Sequence, residues 1–117
     1  MPVDAQGVLL TLDNTAASDP IDSSSGIAGS QAVQAPPLTT TDDGDLVLVF
    51  FATDFGGIAP GPIIPDGLFT IVNQRLETHA YWVLGGYQAK RGDLGAVECI
   101  TPQLYNAAAS QVAIRRR

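Results

Sequence analysis

The chain has one cysteine, Cys99, and one histidine, His79. A lone cysteine excludes an intrachain disulfide and any metal cluster built from thiolates. A lone histidine leaves one position for the commonest proton shuttle, and His79, ahead of a run of aromatics, reads as a packed or surface residue. Charge is scarce too: 15% of the 117 residues are Asp, Glu, Lys or Arg. Much of the surface must therefore be Ser, Thr, Gln, Asn, Gly and small apolar groups. No apolar run approaches the ~20 residues of a membrane-spanning helix. The opening MPVDAQG lacks both the basic and the apolar region of a signal peptide, so the expectation is a chain made and folded in a cytoplasm.

Positive charge is absent from the first 74 residues, which hold nine aspartates; all six basic residues follow from Arg75 onward, three of them as Arg115-Arg116-Arg117. Without that basic tail, three basic groups face twelve acidic ones, a formal charge of −9. An acidic body repels nucleic acid and anionic lipid, so neither is expected as a partner. The tail reads as a separate charged anchor. Hydrophobic residues make up 45% of the chain, enough for a folded core, and the length suits one domain.

Alternation of period two dominates. GVLLTLD (7–13) places Val8, Leu10 and Leu12 on one face of an expected strand. NTAASDPIDSSSG (14–26) reads as loop, and residues 27–35 as a short strand of small residues ended by Pro36-Pro37. Asp42-Asp43-Gly44 is a tight turn, followed by a strand over Asp45–Thr53. DFGGIAPGPIIPDG (54–67), rich in Gly and Pro, reads as a long exposed loop. Strands are expected over 68–74, 78–84, 96–100 and 109–115, with a bend at Gly85-Gly86, a turn over 90–95 and a stop at Pro102. Residues 104–110 (LYNAAAS) alone carry helical propensity. About seven or eight short strands with no amphipathic helix predict an all-β fold, a single antiparallel β-sandwich of jelly-roll or immunoglobulin-like type.

The strand at 46–51, LVLVFF, is apolar on both faces. Leu46, Leu48 and Phe50 lie on one side; Val47, Val49 and Phe51 lie on the other. A sandwich strand normally turns one face to water, so this pattern asks for a cover from the long loop or from a partner chain. A second copy, in a dimer or trimer, would serve. Val47, Val49 and Phe51, with Ile63 and Ile64 of the loop and Arg115, Arg116 and Arg117 of the tail, are the candidate partner-binding residues.

No arrangement of residues points to catalysis. Cys99 lies in an apolar strand pattern and reads as an inert thiol. Asp42-Asp43-Gly44-Asp45 lacks the ligand spacing and distal Glu of a calcium loop, so no metal and no cofactor are expected. Tyr81, Trp82 and Tyr87 form a candidate platform for stacking on a sugar, although Trp82, flanked by Ala80 and Leu84 at period two, fits a core position better.

Together, PID-SSSG (20–26), AP-PLTTT-DDGDLVLVFFAT (35–53), a Pro/Gly loop, GDLGAV (92–97) and SQVAIR (110–115) resemble a β-sandwich module of phage virion proteins and of bacterial surface or secreted proteins. These motifs are structural and cover most of residues 7–115. The resemblance implies a non-enzymatic virion protein, foremost a capsid decoration (cement) protein on the outer surface of a tailed phage. Its partner would be the major capsid protein. The alternative it implies is a carbohydrate-binding or adhesin-like module that takes a glycan.

Overall fold

The computed structural model describes residues 9–29, 34–54, 61–75, 79–100 and 107–117. Their elements are β1 (Ile21–Gly29), β2 (Gln34–Ala35), β3 (Leu38–Thr40), β4 (Asp45–Asp54), β5 (Gly61–Pro62), β6 (Phe69–Arg75), β7 (His79–Gln88), β8 (Gly92–Leu94), β9 (Val97–Ile100) and β10 (Ala107–Ile114). The expectations at Val8, Pro102 and residues 104–106 lie outside the described residues.

The protein is an all-β sandwich. One layer is a five-stranded antiparallel sheet in the order β1-β10-β4-β7-β6. Its inner face carries Val47, Val49 and Phe51 of β4, Ala80, Trp82 and Leu84 of β7 and Ala109 of β10, in register across the strands. These pack on Ala35 of β2 and on Val97 and Cys99 of β9 in the opposing layer. Full burial of side chains such as Leu84 and Val49 contributes about 1.5–3 kcal/mol each.

The opposing layer is built from short pieces: β2-β9-β5 and the pair β3-β8. The pairs β2-β9 and β3-β8 are one interrupted ladder. Gln34 pairs with Glu98 and Ala35 with Val97, and the same register resumes at Leu38 with Leu94 and Thr40 with Gly92. Pro36 and Pro37 fall in the gap. Proline has no N–H to give a ladder, so the pairing lapses without slipping. The buried Gln111 of β10 reaches across from the other layer to this gap. Its Nε2 donates to the carbonyls of Pro36 at 3.0 Å and Gly95 at 2.9 Å. One amide group thus joins the two layers where the prolines open the ladder.

Several sequence expectations change. Residues 9–13 form no strand, and Leu9 is exposed; their alternation finds no partner strand. The expected loop at 14–26 contains most of β1, whose polar residues are strand because they pair with β10 along their length. Ala107–Ser110 likewise join β10 and are not helical, since they are paired between β1 and β4; tertiary pairing overrides alanine's helical preference. Within the expected loop 54–67, Gly61 and Pro62 form β5 against β9.

Gly85-Gly86 is no bend; both glycines lie inside β7. They are needed for close approach, one on each face. A Cβ at Gly86 would overlap the Gly67 carbonyl oxygen, and one at Gly85 would overlap Ile71 Cδ1. Gly44 has the expected turn role, with φ of 77° and its N–H bonded to the Gln88 carbonyl at 2.7 Å.

Candidate functional site

Strand β4 does not present its inner residues to a partner. Val47, Val49 and Phe51 are buried in the core, Val49 completely, which corrects their assignment as contact residues. On the outer face Leu48 and Val83 are buried as well, while Leu46 and Phe50 are half-buried. Ile71 lies over Gly85, with Leu48 beside it. Both faces of the apolar strand are thus largely covered, and β4 by itself no longer calls for a second copy.

Of the exposed large apolar side chains among the described residues, Leu9, Ile21 and Ile27 lie before or in β1, and the other five gather elsewhere. Ile63 and Ile64 are at the surface as expected, after β5. The chain then turns through Pro65–Leu68, closed by a Leu68 N–H to Pro65 carbonyl bond of 3.2 Å. It enters β6 with Phe69 72% exposed and Ile71 50% exposed. Phe69 stands opposite Gly85 on the outer face. Two residues further along β7, on the same side, is Tyr87, 63% exposed. Residues 63–71 and Tyr87 therefore form an apolar margin at the β6 side of the sandwich. Beside it a cleft of about 250 Å³ opens between the layers, lined by Val47, Leu68, Tyr87, Leu94, Val97 and Gln111 among others.

The tyrosines and the tryptophan do not make a sugar platform. Trp82 is buried in the core. Tyr81 and Tyr87 share the outer face of β7, but their six-residue separation places them about 20 Å apart. The Tyr87 ring is covered by the Arg116 guanidinium, 4.5 Å from its centroid.

The basic residues 115–117 are not a detachable tail, and this too is a correction. Arg115 pairs with Asp42 at 2.7 Å, Asp22 at 3.0 Å and Asp19 at 3.2 Å. It also donates to the carbonyls of Asp19 and Ile21. Burial would lower its pKa; the aspartates, Asp42 foremost, outweigh this and raise it. Main-chain bonds fasten the same residues: Arg115 N–H to the Pro20 carbonyl, Ala16 N–H to the Arg115 carbonyl and Arg117 N–H to the Asn14 carbonyl, at 2.7–2.9 Å. Asn14 and Asp19 take left-handed φ of 60° and 51°, a conformation these two residue types tolerate. Arg116 donates from Nε to the Gly44 carbonyl at 2.8 Å. The three arginines clasp segment 14–22 to the β3–β4 turn.

Other candidate polar groups among the described residues have structural partners. His79 pairs with Asp54 at 3.2 Å. Asp93 of Arg91-Gly92-Asp93 accepts from Thr39 Oγ1 at 2.7 Å. Cys99 is buried, and burial pushes its thiol up to about 11. Among the described residues no cluster of three or more His, Cys, Asp or Glu has the arrangement to hold a metal ion. No described helix is long and apolar enough to cross a membrane.

Sequence reasoning missed Phe69 and Ile71 as surface residues because alternation alone does not say which face is covered. It also missed the pair Asp22 and Asp45, which lie far apart in sequence. The triplet Thr41-Asp42-Asp43 before an apolar strand signals a turn, but not the arginine that would close on it. Comparison with known protein families, curated proteins and solved structures gives no match in any of the three.

Proposed function

We propose that the chain is a non-enzymatic structural protein of a virion, a capsid decoration (cement) protein that binds the outside of an assembled shell of major capsid protein. The observation that carries the reading is the apolar margin formed by Ile63, Ile64, Phe69, Ile71 and Tyr87. Exposed apolar side chains gathered in one place mark interaction surfaces, and buried aromatic anchors supply most of the affinity at such contacts. The rest of the body, acidic and low in charge density, fits attachment to protein better than to nucleic acid. The resemblance of TTTDDGDLVLVFF (39–51) and QVAIR (111–115) to virion sandwich modules supplies the partner class.

The test is co-sedimentation of the purified protein with assembled phage shells. Phe69→Asp and Ile64→Asp should weaken binding at least tenfold and leave the unfolding midpoint nearly unchanged, because both residues are exposed. Binding by the two variants equal to that of the parent would overturn the reading. So would micromolar binding of the parent to a glycan with none to shells.

A further inference from the structure

We propose that Asp22 and Asp45 form a proton-binding latch: one proton, carried on Asp45 and donated to Asp22, joins the start of β1 to the start of β4, and its release loosens this end of the sheet. The proposal is independent of the capsid reading. It rests on which donors each carboxyl meets. Asp45 is fully buried, and neither of its side-chain oxygens meets a donor among the described residues. An ionised carboxylate without donors or water is strongly disfavoured.

Asp22 is in the opposite condition. Its Oδ1 accepts from Thr41 Oγ1 at 2.6 Å and Arg115 Nη2 at 3.0 Å. Its Oδ2 accepts from the N–H groups of Thr41 at 2.7 Å and Asp42 at 3.1 Å. Four donors fix Asp22 as the ionised member. The two carboxyls are within hydrogen-bonding reach of each other, and a bond between carboxyls needs a proton on one of them. Asp45 carries it.

The surrounding charges set how tightly the proton is held. β1 contributes Asp22, the β3–β4 turn contributes Asp42, and the residue after β10 contributes Arg115. The two aspartates favour the proton and Arg115 opposes it. Asp19 joins through Arg115. From β7 the neutral Gln88 stands opposite Asp45, its side chain engaged by Thr40. Asp43 is turned away to the Arg91 N–H, and Arg116 to Gly44 and Tyr87. Burial first, and Asp22 next, push Asp45 up to about 7 from an ordinary 3.8. Burial would raise Asp22 also, but its bonds with Asp45, Thr41 and Asp42 hold it well below the usual carboxylate range.

Deprotonation near neutral pH sets two ionised carboxylates side by side, with Arg115 already shared by Asp19 and Asp42. The parts that can yield are the start of β1, which among the described residues pairs with β10 alone and is bulged between Ile21 and Ser23, and residues 14–20 clasped beneath the arginines.

Carbon-detected NMR of the carboxyl groups tests it on the intact protein. Asp45 Cγ should titrate near pH 7, and Asp22 Cγ should stay ionised well below the usual carboxylate range. Amide exchange at Asp22–Ser24 and Arg115–Arg117, corrected for intrinsic rates, should speed up at least fivefold between pH 6 and 8.5, with Val83 and Leu84 unchanged. Asp45→Asn should abolish that step. An Asp45 carbon that titrates in the ordinary carboxylate range overturns the proposal. So does a pH step in exchange that persists in Asp45→Asn.

Discussion

Replacement of Gln111 by leucine tests how the two layers are joined. Leucine keeps most of the side-chain volume, and Gln111 shares the lining of the cleft with Val47, Leu68 and Val97, so the change removes hydrogen bonds without opening a large cavity. Two carbonyls lose their donor, Pro36 at 3.0 Å and Gly95 at 2.9 Å, and a longer contact to the Ala35 carbonyl at 3.5 Å goes with them. A buried acceptor left without a partner costs about 1–3 kcal/mol. Pro36 is only half-buried and Gly95 is exposed, so the low end of that range applies to each. The added apolar burial of leucine returns part of the loss. The expected net destabilisation is about 1–2 kcal/mol. Urea unfolding followed by Trp82 fluorescence would show it as a lower midpoint with an unchanged m value. The control is Gln34→Ala, which breaks an exposed 2.8 Å bond to Glu98 and should cost under about 0.5 kcal/mol. A Gln111→Leu protein as stable as the parent would mean that water entering the adjacent cleft satisfies both carbonyls. The amide would then join nothing.

Stability should depend on pH through the buried aspartates, with opposite signs. Asp45 keeps its proton to about pH 7 in the folded protein but loses it near 3.8 when unfolded, so stability falls as pH rises between those values. Asp22, held low, contributes stability above 3.8 that is lost as pH drops below it. The pair therefore favours the fold most near pH 4. At ~1.4 kcal/mol per unit Asp45 costs up to about 4 kcal/mol at alkaline pH, and about 2 after allowance for nearby solvent; urea midpoints from pH 4 to 8.5, with Asp45→Asn flat across them, would show it. Gly86→Ala should destabilise by about 1–3 kcal/mol, because the Gly67 carbonyl must move, whereas Gly95→Ala, with nothing within 4 Å of the new Cβ, should be neutral or stabilise by up to about 1 kcal/mol; thermal melts separate the two. Cys99, with its thiol near 11, should be alkylated at pH 8 on the order of 100-fold more slowly than a free thiol, and at the free rate once urea unfolds the chain.

The strands that were legible in the sequence are those whose pattern reflects burial in the core. Asp45–Asp54 is nearly the strand expected, since its inner residues face the other layer and Leu48 on its outer face is buried as well. Pro36-Pro37 and Gly44 were legible because their covalent geometry allows little else. β1 was not. Its residues IDSSSGIAG have weak strand preference, and they are strand because β10 supplies a partner and because Ser25 Oγ donates to the Pro36 carbonyl at 2.6 Å. The glycine pair in β7 invites reading as a bend, since the carbonyl and the side chain that crowd it lie 14–19 residues earlier in the sequence. The arginines were misread for a related reason. Three basic residues beyond a strand resemble a solvated tail until Asp19, Asp22 and Asp42 are placed around the first of them. Of the candidate contact residues, Ile63 and Ile64 are at the surface, whereas alternation alone could not say that Val47, Val49 and Phe51 face inward.

The fastening of residues 115–117 leads to a prediction that separates structure from attachment. Were the arginines a free anchor, their removal would weaken binding to a partner in a salt-dependent way and leave the fold alone. The structure argues for the reverse. Arg115 serves three aspartates and two carbonyls, and Asp22 keeps just Asp45 and the Thr41–Asp42 donors without it. Removal of Arg115 would leave Asp22 and Asp42 near Asp45 with no cation among them, in a region where like charges are poorly screened. Arg115→Gln should therefore lower the melting temperature clearly at pH 7.5. It should do so much less at pH 4.5, where the proton on Asp45 relieves part of the repulsion. Arg117→Gln keeps the main-chain bond to Asn14 and should change little. Shell binding, measured below the melting range, should be unaffected by either, because Arg115 is engaged by Asp19, Asp22 and Asp42, and of the three arginines it is Arg116 that stacks on Tyr87 of the apolar margin. An Arg115→Gln protein with the parent's melting temperature at both pH values, but with weakened and salt-sensitive shell binding, would return these residues to the role of an anchor.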